Sequence, residues 1–144
     1  MAYEFRMTHR VEFSDTDMAG LVHFSSYFRY MEATEHAFFR SLGLSIVMWD
    51  EFKAGWPRVH VECDYSGPLR FEDEVEVQLR VRTKGEKSLT YDFVFRRVRP
   101  EPAVEVGRGS MTAACVTKDA NGKMKAMPIP EPVARKIEAA PAGA

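Results

Sequence analysis

Four stretches of this chain alternate apolar and polar residues with a period of two, and that pattern constrains the fold more than any other feature. Tyr3, Phe5, Met7, His9, Val11 and Phe13 share one parity against Glu4, Arg6, Thr8, Arg10 and Glu12. The alternation returns at Val59, Val61, Cys63, Tyr65, at Val75, Val77, Leu79, Val81, and at Leu89, Tyr91, Phe93, Phe95. Successive side chains of a strand point to opposite faces, so each stretch predicts a half-buried strand. Lys84 to Ser88, around Gly85, is too short for anything but a hairpin, so the sheet is largely antiparallel. His9 falls on the apolar parity, where a hydrogen-bonded core histidine is expected rather than a catalytic one. In a last long strand, about Val104 to Lys118, apolar residues switch from even positions to Met111, Ala113 and Cys115; Gly107 and Gly109 mark a bulge or bend at the switch.

After the first strand the period changes. Tyr27, Met31, Phe38, Leu42 and Phe28, Ala33, Ala37 fit a helix of about four turns. Ser25 or Ser26 can cap it, and Gly43 stands where a left-handed C-terminal residue belongs. With Phe24, Phe28, Tyr30 and Phe39 added, apolar groups cover much of its circumference, which predicts burial on more than one side. Residues 44–56 leave a short helix ending at Gly55 open. Asn121-Gly122 reads as a turn, and Pro130-Glu131 opens a short helix to about Ala139, followed by a frayed tail from Ala140 to Ala144. One strand, one long helix and four further strands within 144 residues predict a single α+β domain covering 1–144, its sheet curled around the helix.

Charge and composition exclude several roles. Twenty Lys+Arg against twenty-one Asp+Glu argue against a nucleic-acid partner. The apolar runs are a few residues long, against the roughly 20 of a membrane span, and MAYEFRMTHR lacks the apolar centre of a secretory signal. A cytoplasmic protein without a membrane span is expected. Cys63 and Cys115 have no partner at ligand or redox spacing, so two buried reduced thiols are expected, with no metal.

The segment Asp15-Thr16-Asp17-Met18-Ala19-Gly20-Leu21-Val22-His23-Phe24 places two carboxylates and a glycine just before the helix. Free N–H groups at a helix start, aligned with the dipole, stabilise an oxyanion. A carboxylate upstream can then attack the carbonyl carbon, or act on it as general base. On spacing alone, Asp15 and Asp17 read equally as turn residues.

Asp15-x-Asp17-x-Ala19-Gly20-x-Val22, with His23-Phe24 and Tyr27, resembles the signature of the 4-hydroxybenzoyl-CoA thioesterase family of hotdog-fold acyl-CoA thioesterases, including those associated with the Tol-Pal system. Tyr65-x-x-Pro68-Leu69-Arg70-Phe71-x-Asp73-x-Val75 resembles that family's bend into its third strand, and Gly85-x-x-Ser88 its next hairpin; Pro128-Ile129-Pro130 is a weaker likeness. The resemblance implies a hotdog fold, a five-stranded antiparallel sheet wrapped around a long central helix, with dimers formed by pairing of the edge strand Arg58 to Tyr65. Homodimers or homotetramers are then expected. It implies hydrolysis of an acyl- or aroyl-coenzyme A without cofactor, Asp17 as nucleophile or general base, and the N–H near Phe24 as oxyanion donor. Asp15 is left to shape the turn. Ser26 stands where many relatives have Asn, and Phe24 where the Tol-Pal-associated members have His. His23 can orient water or be structural.

The remaining candidates follow from that chemistry. A thiol leaving group titrates near 8.5 and departs without a strong acid. Gly20 and Tyr27 are expected at the substrate. Arg58, Lys84, Lys87 and Ser88 are candidates for the nucleotide phosphates, each otherwise a solvated surface group. Phe24, Phe28, Met48, Trp49 and Trp56 are pocket or core. Glu32 and Glu35 are noted because another hotdog branch works from a helix glutamate; Glu32 with His36 reads better as an i,i+4 pair. A hydratase or dehydratase, served by His23 or His36, and a non-catalytic acyl-CoA-binding module are the alternatives.

Overall fold

In the computed structural model, which describes residues 1–143, the alternating stretches become strands β1 (Glu4–Arg10), β2 (Arg58–Tyr65), β3 (Glu74–Lys84) and β4 (Ser88–Arg99). With β5 (Val104–Ala114) they form one antiparallel five-stranded sheet in the order β1-β3-β4-β5-β2. The inward positions Val75, Val77, Leu79, Val81, Leu89, Tyr91, Phe93 and Phe95 are all buried. The first strand ends three residues before Phe13, which is 77% exposed in a short 3-10 turn, Phe13–Asp15.

Two sequence expectations about β5 resolve differently. The parity switch is a bulge: Phe95 pairs with Gly107 and Arg96 with Glu105, leaving Val106 unopposed. The strand also stops at Ala114, and β6 (Val116–Lys118) pairs with β7 (Met124–Ala126) as a separate hairpin. Its turn is held by Asp119, which accepts from the N–H groups of Asn121 and Lys123, with Gly122 at φ +78°.

Helix α1 (Ser26–Ser41) has 16 residues. Its buried positions Tyr27, Tyr30, Met31, Thr34, Glu35, Phe38 and Phe39 form one stripe at spacings of three and four. The burial on more than one side expected from its apolar content is therefore corrected: Phe24, just before it, is 63% exposed, and Arg29, Glu32 and Arg40 face out. The stripe meets the sheet through Phe38 on Phe5 and Tyr27 on Phe95. Two glycines of β5 make room for their neighbours. A Cβ on Gly109 would lie 2.2 Å from the Met31 methyl of α1 and 2.7 Å from the Glu62 carbonyl, and one on Gly107 2.9 Å from the Asp64 carbonyl of β2.

The serine caps are also corrected. Ser25 occupies the cap position without a side-chain cap bond; its hydroxyl lies 2.7 Å from His23 Nδ1, while Ser26 Oγ donates to the Asp15 carbonyl. Gly43 takes the left-handed conformation expected, φ +74°. A single turn, α2 (Trp49–Phe52), ends three residues before Gly55. The C-terminal helix α3 (Glu131–Lys136) is shorter than expected, and the Ala140 N–H bonds to the Val81 carbonyl, so the tail is tied there; Ala144 lies outside the described residues. No helix among the described residues is long and apolar enough to cross a membrane.

Candidate active site

The segment before α1 folds into a tight hairpin loop. Thr16 bridges Val22, the Asp17 N–H donates to the Leu21 carbonyl, and the His23 N–H to the Asp15 carbonyl. Asp17 to Gly20 is the turn, closed by the Gly20 N–H on the Asp17 carbonyl with Gly20 at φ +80°, a conformation glycine adopts without strain. The second motif packs against this loop: the Val22 N–H donates to the Leu69 carbonyl, and Leu21 bridges Arg70.

The two aspartates take different environments. Asp15 is buried; its carboxylate accepts from the Glu12 N–H, the Tyr30 hydroxyl and Arg29, at 2.9, 2.9 and 3.0 Å. Burial alone would raise its pKa, but these donors and the Arg29 charge together hold it below the ordinary 3.8. Asp17 is exposed. Its Oδ1 accepts from the N–H groups of Ala19 at 2.8 Å and Leu21 at 3.2 Å, while Oδ2 has no partner among the described residues. One oxygen is thus anchored by the loop and the other is left open.

Asp17 lines a cavity of about 200 Å³ together with Leu21, Val22, Phe24, Tyr27, Tyr65, Gly67, Pro68 and Leu69. Both sequence motifs contribute to it. The Phe24 N–H has no acceptor among the described residues, and the first turn of α1 begins two residues on. Tyr27 is buried, with its hydroxyl pKa pushed up to about 12 by burial and by the thiol of Cys63 and the phenol of Tyr65. It is a wall of the cavity and stays neutral.

The other sequence candidates fall elsewhere. His23 is not in the cavity lining: its Nδ1 accepts from the Ser25 N–H at 3.2 Å and its ring stacks on Phe24, so it caps the chain entering α1. Gly20 shapes the turn. Arg58 reaches inward to Glu35, which is wholly buried, in a two-pronged contact, and comes within 3.9 Å of Glu32. Glu32 therefore turns to Arg58 rather than pairing with His36 as expected. Lys84 donates to the carbonyls of Ala134 and Ile137 at the end of α3. Lys87 is exposed, and Ser88 is paired with Ala114. Gly107 pairs with Tyr65 beside the cavity; Ala114 is seven residues along β5. That hairpin is therefore about 23 Å from the cavity in the same protomer, at ~3.3 Å per residue. His9 is hydrogen-bonded as expected, 3.1 Å from Thr34 Oγ1 and stacked on Tyr30, but it is half-buried at the edge of the core rather than within it. Met48 and Trp56 are core, the indole donating to the Met48 sulfur, and Trp49 lies on the surface under Lys118.

The walls supplied by Tyr65, Gly67 and Leu69 were not singled out as site residues from the sequence. The signal was present in the second motif, which fixes a bend but does not say what the bend touches.

Comparison with known proteins agrees with this geometry. Residues 11–137 match the model of the thioesterase-like superfamily, and the chain belongs to that superfamily. A protein of Aquifex aeolicus (strain VF5) that carries a provisional esterase name is 31% identical over 124 residues, 86% of this chain and 91% of its own length. A 1,4-dihydroxy-2-naphthoyl-CoA hydrolase of Prochlorococcus marinus (strain NATL2A) is 27% identical over 95 residues, 60% of this chain and 61% of that protein. The fold is shared with 4-hydroxybenzoyl-CoA thioesterase from Pseudomonas sp. strain CBS-3, at TM-score 0.80 and 22% identity over 90% of this chain and 95% of that one.

Proposed function

We propose that this chain hydrolyses the thioester of an acyl- or aroyl-coenzyme A to the free acid and CoA, with Asp17 as nucleophile or general base and the Phe24 N–H as oxyanion donor. The observation that carries the reading is that Asp17, with one carboxylate oxygen unengaged, and Phe24, whose N–H has no acceptor among the described residues, both line one largely apolar cavity at the start of α1. Negative charge developing on the thioester oxygen would meet an N–H with no competing acceptor at the positive end of the helix dipole. The thiolate then leaves unaided. Superfamily membership and relatives named as CoA-thioester hydrolases support the same chemistry.

The chain is one hotdog domain with its sheet curled around α1 as the central helix, it acts in the cytoplasm, and it pairs through β2 into a homodimer or homotetramer. Lys87 and Ser88, on the β3–β4 hairpin, are the candidates left for the nucleotide phosphates, since Arg58 and Lys84 are already engaged. The test is release of free thiol from acetyl-, hexanoyl-, palmitoyl- and benzoyl-CoA. Turnover of at least one is expected; tight binding without turnover of any would make the protein a binding module instead.

A further inference from the structure

Phe24 is held from several directions. The N–H of His23 before it donates to Asp15, and the N–H of Ser25 after it to the His23 ring. Its carbonyl lies outside the helix ladder, because the Phe28 N–H bonds to Ser25 instead. The donor to that carbonyl is the hydroxyl of Tyr65, at 2.8 Å. Tyr65 is the last residue of β2, a sheet edge, and the hydrogen bond spans 41 residues of sequence. Its own ring is fixed edge-on against Tyr27, centroids 4.8 Å apart, and lines the cavity with Asp17. The Phe24 ring is largely exposed and packs on His23, so it does little to hold the backbone.

A backbone donor stabilises a transition state only if it is aimed before the charge appears. We propose that Tyr65 is a positioning residue: its hydroxyl holds the Phe24 carbonyl and so fixes the orientation of the Phe24 backbone, keeping the Phe24 N–H directed at the thioester oxygen. This rests on the reading of Asp17 and Phe24 given above. Tyr65 neither touches the reacting atoms nor gives up a proton, and its edge-strand position ties the oxyanion donor to the sheet.

The test is Tyr65→Phe, which removes the hydroxyl and keeps the ring, assayed on whichever of acetyl-, hexanoyl-, palmitoyl- or benzoyl-CoA the wild type turns over fastest. An aimed donor acts in the transition state, so kcat should fall by about tenfold while KM changes less than about twofold. The melting temperature should be nearly unchanged, since Tyr65 is partly exposed. Tyr65→Leu, which also removes the ring, should lower the melting temperature yet add little to the loss in kcat. Wild-type kcat in Tyr65→Phe, with loss appearing only in Tyr65→Leu, would overturn the proposal and make Tyr65 a packing residue. A wild type that hydrolyses none of the four esters would overturn the underlying catalytic reading, and the positioning role with it.

Discussion

Asp15 and Asp17 stand two residues apart and differ because the hairpin loop turns one carboxylate into the protein and the other out. On the sequence, Asp15 reads as a turn residue that tolerates loss of charge; its contacts with Tyr30, Arg29 and the Glu12 N–H correct that. Asp15→Asn should lower unfolding free energy by about 1–3 kcal/mol in urea titration, the range for hydrogen bonds to a buried charged group, with the Arg29 share small because that side chain is well exposed. Acid should act in two steps. The pKa of His9 is lowered from 6.5 by burial, against the pull of Asp15, so the unfolded chain takes up its proton first and stability falls as pH drops below 6.5. Asp15 is likewise depressed, so its contribution is full above 3.8 and is lost as pH falls through the lower folded value. Urea midpoints between pH 8 and pH 3 check this; His9→Gln should remove the first step only, and a flat midpoint from pH 7 to pH 5 would contradict it.

At the scale of elements, Met31 of α1 packs directly over Gly109 of β5 because that residue lacks a Cβ. Gly109→Ala should cost about 1–3 kcal/mol, because the Met31 methyl can swing away but the Glu62 carbonyl is backbone and must move. An unchanged unfolding midpoint would contradict that packing. The strands and the long helix were legible in the sequence because periods of two and of 3.6 are local properties, read without knowing the partner strand. The bulge was visible as a parity switch, although only the register located it at Val106. What was not legible is non-local. Glu35 reaching Arg58 and Lys84 reaching α3 are choices among competing partners that spacing does not rank. The candidate site was half legible: Asp17, Phe24 and Tyr27 from the first motif, but not the opposite wall, which the Leu69–Val22 hydrogen bond brings across.

For the whole molecule, β2 ends the sheet with Val59, Val61 and Tyr65 at 62%, 41% and 44% exposure. An edge this apolar and unpaired invites another strand. Light scattering after size exclusion should give a mass of at least twice 16.4 kDa at micromolar concentration, and a stable single-chain mass would contradict the pairing. The catalytic account turns on one carboxylate. Asn keeps the size of Asp17 and a carbonyl oxygen for the Ala19 and Leu21 N–H groups, but loses the charge and the free basic oxygen. The most direct measurement is therefore steady-state hydrolysis of the preferred acyl-CoA by Asp17→Asn: kcat should fall about a hundredfold or more with KM little changed, and near-wild-type kcat would contradict the account.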